Sequence, residues 1–159
     1  MQSSGSEVEP DVVDAVLRAS RVLVSVAVRS LADAGHDVTL PQYRALVVLA
    51  SRGPRRPTEL ADALAVHPST ITRLCDRLVA RRLVRRAAST QSRREVVITL
   101  MPSGKRLVDA VTARRRAEIS DIVARIPLPE RATMVRALHA LGDAAGEPAD
   151  ASWFTGADP

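Results

Sequence analysis

Ser69, Thr70, Thr72, Arg73 and Arg77 fall within nine consecutive residues. None of these residue types breaks bonds unaided. Together they form a ridge of short hydroxyls and long cations, able to donate hydrogen bonds to phosphate oxygens and to the acceptor edges of bases. Arg93 and Arg94 add a second cationic pair, and from His67 to Arg94 there are eight arginines against one acid, Asp76. A charge run is ordinarily a solvated face; this one is concentrated on two elements that would lie side by side. The chemistry of catalysis is missing. There is no Gly-rich phosphate loop, nucleophile elbow or carboxylate pair in a cleft-like context, so no enzyme, cofactor or catalytic residue is expected. His36, His67 and His139 are far apart, with no Cys or carboxylate at ligand spacing, which argues against a metal. Cys75 is the sole cysteine, so no intrachain disulfide can form, and its apolar setting predicts an inert buried thiol.

The ridge needs a helix to present it. Stepping about 100° per residue along Pro68 to Ala80 places Ile71, Leu74, Cys75, Leu78 and Val79 on one arc. Ser69, Thr70, Thr72, Arg73, Asp76, Arg77 and Ala80 fall on the other. Pro68 suits a first helical position, where its missing N–H costs nothing. The hydroxyls therefore crowd a helix N-terminus, whose free N–H groups and dipole favour anions. Upstream, Thr58 can cap a helix carrying Leu60, Ala61 and Leu64. Only Ala65 to His67 separate the two helices, so they must turn sharply, as in a helix-turn-helix.

Downstream, Leu83–Ala87 and Glu95–Leu100 read as strands, the second alternating Val96, Ile98 and Leu100 with Glu95, Val97 and Thr99. The loop Ala88–Arg94 carries Arg93 and Arg94 at its far end. The expected fold class is mainly α with a small β-wing: a winged helix-turn-helix framed by longer helices.

The run from Ser69 to Val79, followed by Leu83-Val84-Arg85-Arg86, Arg93-Arg94 and Leu100-Met101-Pro102-Ser103-Gly104, resembles the MarR family of bacterial transcription regulators. The resemblance spans roughly Val12 to Ala145. It implies that Ser69, Thr70, Thr72, Arg73 and Arg77 enter a major groove or touch phosphate, and that Arg93 and Arg94 reach the adjacent minor groove. Two positions depart from the family's pattern. Ser92 stands where an Asp usually precedes the wing arginines and pairs with an Arg of the recognition helix. Met101 stands where a Thr usually caps the next helix; a lost hydroxyl cap costs about 1 kcal/mol.

Composition agrees with a double-stranded polyanion partner. The formal net charge is +5, yet Met1–Asp11 and Glu147–Pro159 hold six acids and no Lys or Arg, so the body between them carries +11. Coding bias toward arginine contributes to such a charge without piling eight into one segment. Aromatics make up 2% of the chain, which disfavours the stacking platforms of single-strand binders. No stretch approaches a membrane span, and the polar, acidic start is unlike a signal peptide, so a cytoplasmic protein is expected.

The remaining segments read as a frame. Asp11 can cap a long helix to about Asp33 with Val13, Val16, Leu17, Leu23, Val24, Ala27 and Leu31 along it. Val12, Val22 and Val26 widen its apolar stripe beyond what one surface covers. Gly35–Leu40 is a loop, Pro41 starts a core helix with Tyr43, Leu46 and Leu49, and Arg55–Arg56 suggests a short strand beside the wing. Pro102 opens a helix to about Ile126 with Val108, Val111, Arg115, Ile119, Ile122 and Ile126 near a coiled-coil seam. Pro127 and Pro129 interrupt it before a last helix, Glu130 to Ala145, with Met134, Leu138 and Leu141 on one side. The expected division is an acidic tail (1–11), a dimerisation helix (12–34), the DNA-binding domain (35–101), dimerisation helices (102–146) and a second tail (147–159) with Trp153 and Phe154.

The expected function is sequence-specific binding of double-stranded DNA by a homodimeric repressor on an inverted repeat. The resemblance further implies a small aromatic or phenolic anion as effector, in a cleft where Arg21, Arg29, His36, Tyr43 and Arg44 are the polar candidates. Two alternatives stay open on the residues alone: a DNA-coating protein of low specificity and a winged-helix protein-interaction module.

Overall fold

The computed structural model describes residues 10–34, 38–89 and 95–146. Both tails beyond these, with Trp153 and Phe154, and the wing residues Ser92, Arg93 and Arg94 lie outside the described residues, as does His36. Six helices and one hairpin follow in the order α1 (Pro10–Ala32), α2 (Leu40–Arg52), α3 (Pro57–Leu64), α4 (Pro68–Ala80), β1 (Val84–Ala88), β2 (Val96–Leu100), α5 (Pro102–Val123) and α6 (Leu128–Ala144).

Aliphatic side chains from α2, α3, α4, the hairpin and the first half of α5 meet in one core. Leu46, Leu60, Ile71, Leu78, Leu83, Ile98, Val108 and Val111 are buried almost completely. Tyr43 is the one aromatic among the described core residues. Packing so dense leaves little room at crossings: a Cβ built on Gly104 would lie 2.3 Å from the Leu83 carbonyl oxygen, so only glycine lets α5 start beside the root of β1.

The hairpin pairs Val84 with Leu100, Arg86 with Ile98 and Ala88 with Val96 in antiparallel register. Arg55 adds the short third strand expected from the sequence: its N–H donates to Ile98 O at 3.1 Å, and Ile98 N–H donates back at 2.7 Å. β2 is therefore flanked on both edges. β1 runs one residue later than the alternation suggested, because Leu83 is consumed by the turn out of α4, where its N–H donates to Leu78 O.

Several helix ends correct the sequence reading. Thr58 does not cap α3. The cap position is Arg56, with Pro57 first in the helix, and Glu59 accepts the Arg56 N–H at 2.7 Å. Asp11 lies inside the first turn of α1, where it complements the helix dipole without capping. α2 begins at Leu40, as the Thr39 N–H donates to the Gln42 side chain at 3.0 Å. α5 stops at Val123, short of Ile126, and α6 begins at Leu128, ahead of Glu130, so Pro129 stands within its first turn, where proline is tolerated.

The outer helices are only partly covered. On α1, Val26, Ala27, Ser30 and Leu31 are buried, while Val12, Leu17, Val24 and Val28 are each more than half exposed. No residue of α6 is buried.

Candidate nucleic-acid interface

The turn between α3 and α4 sets the presentation of the ridge. Ala65 adopts the left-handed conformation at φ 52°, and its N–H closes on Asp62 O at 3.1 Å while Val66 N–H closes on Ala61 O at 3.0 Å. The chain thereby reverses within three residues. His67 then caps α4: its Nδ1 lies 2.9 Å from Ser69 Oγ and accepts the Ser69 N–H at 3.3 Å. Histidine is not among the usual capping types, so nothing local in the sequence marks this role. The nearest signal is Pro68, which fixes where the helix starts.

On α4 the two arcs separate as the periodicity requires. Ile71, Leu74, Cys75 and Leu78 are buried and Val79 half-buried; Ser69, Thr70, Thr72, Arg73, Asp76 and Arg77 are all exposed. The five predicted site residues of this helix thus share one open face. Their donors are not equally free. Ser69 Oγ is engaged by His67, and Thr72 Oγ1 donates to Pro68 O at 3.1 Å, leaving its lone pairs outward. Among the described residues, the side chains of Thr70, Arg73 and Arg77 make no hydrogen bond or ion pair and can reach a partner outside the chain.

Cys75, at 1% exposure, faces the core behind this ridge. Burial pushes its thiol pKa up, with the Arg86 guanidinium opposing only in part. The thiolate needed for redox chemistry is disfavoured there.

The wing is fastened to the ridge by a contact the sequence did not reveal. Arg86 of β1 points toward α4 and its guanidinium lies 2.5 Å from the Asp76 carboxylate. The one acid on the polar arc is thereby neutralised. A second unforeseen cluster holds the other edge of the wing: Arg56 bridges Glu59 at 3.4 Å and Glu95 at 3.7 Å. The backbone N–H of Arg56, then its guanidinium, hold the Glu59 carboxyl below the usual carboxylate range. At the wing's base Met101 occupies the cap position of α5 with no side-chain hydrogen bond. Ser103 Oγ donates to Arg82 O at 2.5 Å instead, tying the first turn of α5 to the turn that precedes β1.

Of the residues singled out for an effector cleft, Arg21 and Arg44 are exposed. Arg29 of α1 is ion-paired with Glu118 of α5, its Nε donating at 3.0 Å. Tyr43 is 3% exposed, and its hydroxyl lies 3.3 Å from Thr112 Oγ1 of α5. Thr112, Arg115 and Glu118 recur at three-residue steps and so share a face of α5. Arg115 lies between the two contacts, and its buried Nε has no partner.

Among the described residues no group of three His, Cys, Asp or Glu side chains could hold a metal ion, and no helix is long and apolar enough to cross a membrane.

Comparison with known proteins converges on one family. The sequence pattern of the MarR family matches residues 36–95. Over 86 residues the chain is 37% identical to the HTH-type transcriptional repressor NicR of Pseudomonas putida, covering 53% of this chain and 54% of the repressor. The likeness thus spans about half the length of that relative. The HTH-type transcriptional regulator Mb0904 of Mycobacterium bovis is 30% identical over 131 residues, 82% of this chain and 87% of the relative. The crystal structure of RV1404 from Mycobacterium tuberculosis superposes with a TM-score of 0.84 at 42% identity, covering 91% of this chain and 99% of that one.

Proposed function

Because the chain belongs to the MarR family, a family of transcriptional regulators, we propose that it is a repressor that binds an inverted-repeat operator as a homodimer. The observation that carries this reading is the division of α4, with every large apolar residue turned inward and Thr70, Thr72, Arg73 and Arg77 outward. Residues 35–101 form the DNA-binding domain. Arg93 and Arg94 serve as the minor-groove contacts of the wing. Residues 12–34 and 102–146 form the dimerisation region, supported by the apolar side chains left exposed on α1 and α6. Two α4 helices then enter successive major grooves about 34 Å apart.

An aromatic or phenolic anion acts as effector between α1, α2 and α5. Support comes from the unpartnered Arg115 Nε between the Tyr43–Thr112 and Arg29–Glu118 contacts. A buried donor left unsatisfied costs about 1–3 kcal/mol, which an anion would relieve. Such a ligand has to favour the non-binding spacing of the lobes by only a few kcal/mol.

Selection of bound fragments from the source genome tests the whole reading. A palindromic motif with half-sites one helical turn apart is expected, at a stoichiometry of two chains per site. Fragments sharing no motif would replace the repressor with a DNA-coating protein, and no recovery of duplex at physiological salt would remove DNA as the partner.

A further inference from the structure

The wing has two faces, and only one is accounted for by α4. Strand pairing places Val84, Arg86, Ile98 and Leu100 on the inner face, where Val84 and Ile98 are buried and Arg86 reaches Asp76. Arg85 and its partner Thr99 must point to the opposite, outer face, because successive side chains of a strand alternate. That outer face is the wall of an open cleft of about 660 Å³, lined among others by Arg55, Arg56, Glu59, Arg85, Glu95 and Thr99.

The charges of this cleft are unevenly matched. Both carboxylates, Glu59 and Glu95, are engaged with the same guanidinium, that of Arg56. The Arg55 guanidinium donates only to the neighbouring Pro54 carbonyl, at 3.0 Å, and that of Arg85 makes no hydrogen bond or ion pair among the described residues. With three arginines against two carboxylates the lining carries one net positive charge. Arg55, whose charge also acts on Glu59, and Arg85 keep guanidinium N–H groups free in a cleft without an aromatic side chain, a lining suited to phosphate groups and poorly suited to an organic ring.

Duplex geometry says which phosphates. A minor groove about 6 Å wide has a sugar–phosphate wall on each side. A wing tip entering that groove beside α4 turns its inner face to the near wall, shared with the major groove that holds α4. Its outer face then meets the far wall. We infer that Arg55 and Arg85 form a second phosphate-binding site, on the outer face of the wing, that grips the far strand of the minor groove. The inference rests on the wing entering the groove, as in the function proposed above. It extends the protein's footprint beyond the wing without adding base readout.

The test uses full-length protein on a cognate duplex across a range of salt. Each phosphate contact contributes about 0.9 to the slope of log affinity against log salt. The Arg55→Gln, Arg85→Gln double variant is expected to lower that slope by close to two contacts, to weaken cognate and random duplexes equally, and to keep wild-type melting behaviour. Arg85→Lys should restore one contact. A neutral methylphosphonate on the far strand should weaken the wild type and leave the double variant unaffected. A wild-type slope in the double variant, or an equal methylphosphonate loss in both proteins, overturns the inference while leaving the regulator reading intact. A wild type that binds no duplex overturns both.

Discussion

The guanidinium of Arg86 lies 2.5 Å from the carboxylate of Asp76, joining strand β1 to the helix that carries the hydroxyl and arginine ridge. Ser92 occupies the position from which relatives are expected to anchor the wing. Here a contact nearer the hairpin's root links it to α4. The pair is half exposed on both sides, so its worth is modest in energy and larger in orientation.

A double-mutant cycle of Asp76→Asn and Arg86→Gln, followed by thermal melting, should return a coupling of about 0.2–1 kcal/mol. The coupling should shrink in 1 M salt, where the Debye length is about 3 Å. A coupling of zero at low salt would show that the two side chains do not hold each other.

Replacing Thr72 by Val or Arg73 by Ala should cost about 1–3 kcal/mol on a cognate duplex and much less on random sequence. Titration of both duplexes by fluorescence anisotropy distinguishes the cases. Losses of equal size on the two would move these residues from base readout to backbone contact.

The Glu59 carboxyl titrates below the ordinary carboxylate range because the Arg56 N–H and guanidinium favour its ionised form. A depressed folded-state pKa stabilises the fold above the unfolded value, and that contribution disappears as pH falls through the folded value. The first turn of α3 should therefore lose amide protection in acid before the rest of the helix does. Glu59→Gln should make this protection independent of pH over the same window, as followed by hydrogen exchange. Unchanged acid sensitivity in the variant would assign the effect to another group.

Gly104→Ala would push a methyl to within 2.3 Å of the Leu83 carbonyl oxygen. Separating α5 from the root of β1 should cost about 1–3 kcal/mol, as other overpacked sites do. A melting temperature equal to wild type would mean that the two segments can part freely.

The elements that place the ridge were legible because their periods are set by burial. Ile71, Leu74, Cys75 and Leu78 repeat at the helical step and are buried together. β2 followed its alternation less fully, as Ile98 is buried but Val96 is 48% exposed near the open end of the hairpin. Helix starts were read less well. Arg56 and His67 hold cap positions through contacts two and three residues away, and neither type is a favoured cap. Arg86–Asp76 and Arg56–Glu95 were invisible for another reason. They join residues across turns whose direction depends on the left-handed backbone of Ala65 and Arg82, which no side-chain pattern announces. On α6 the expected stripe included Met134, Leu138 and Leu141, yet Leu138 and Leu141 remain about half exposed within the described chain. Periodicity identifies a face that seeks cover without saying which molecule supplies it.

The uncovered first half of α1 has a consequence for dosage. Val12, Val13, Val16 and Leu17 find no cover within the described chain, and an amphipathic helix draws most of its stability from packing its apolar face. If a second copy supplies that packing, shaping the helix and recruiting the copy become a single thermodynamic event. Promoter occupancy would then climb faster than in proportion to the amount of protein made, giving a sharp threshold with no bound signal at all.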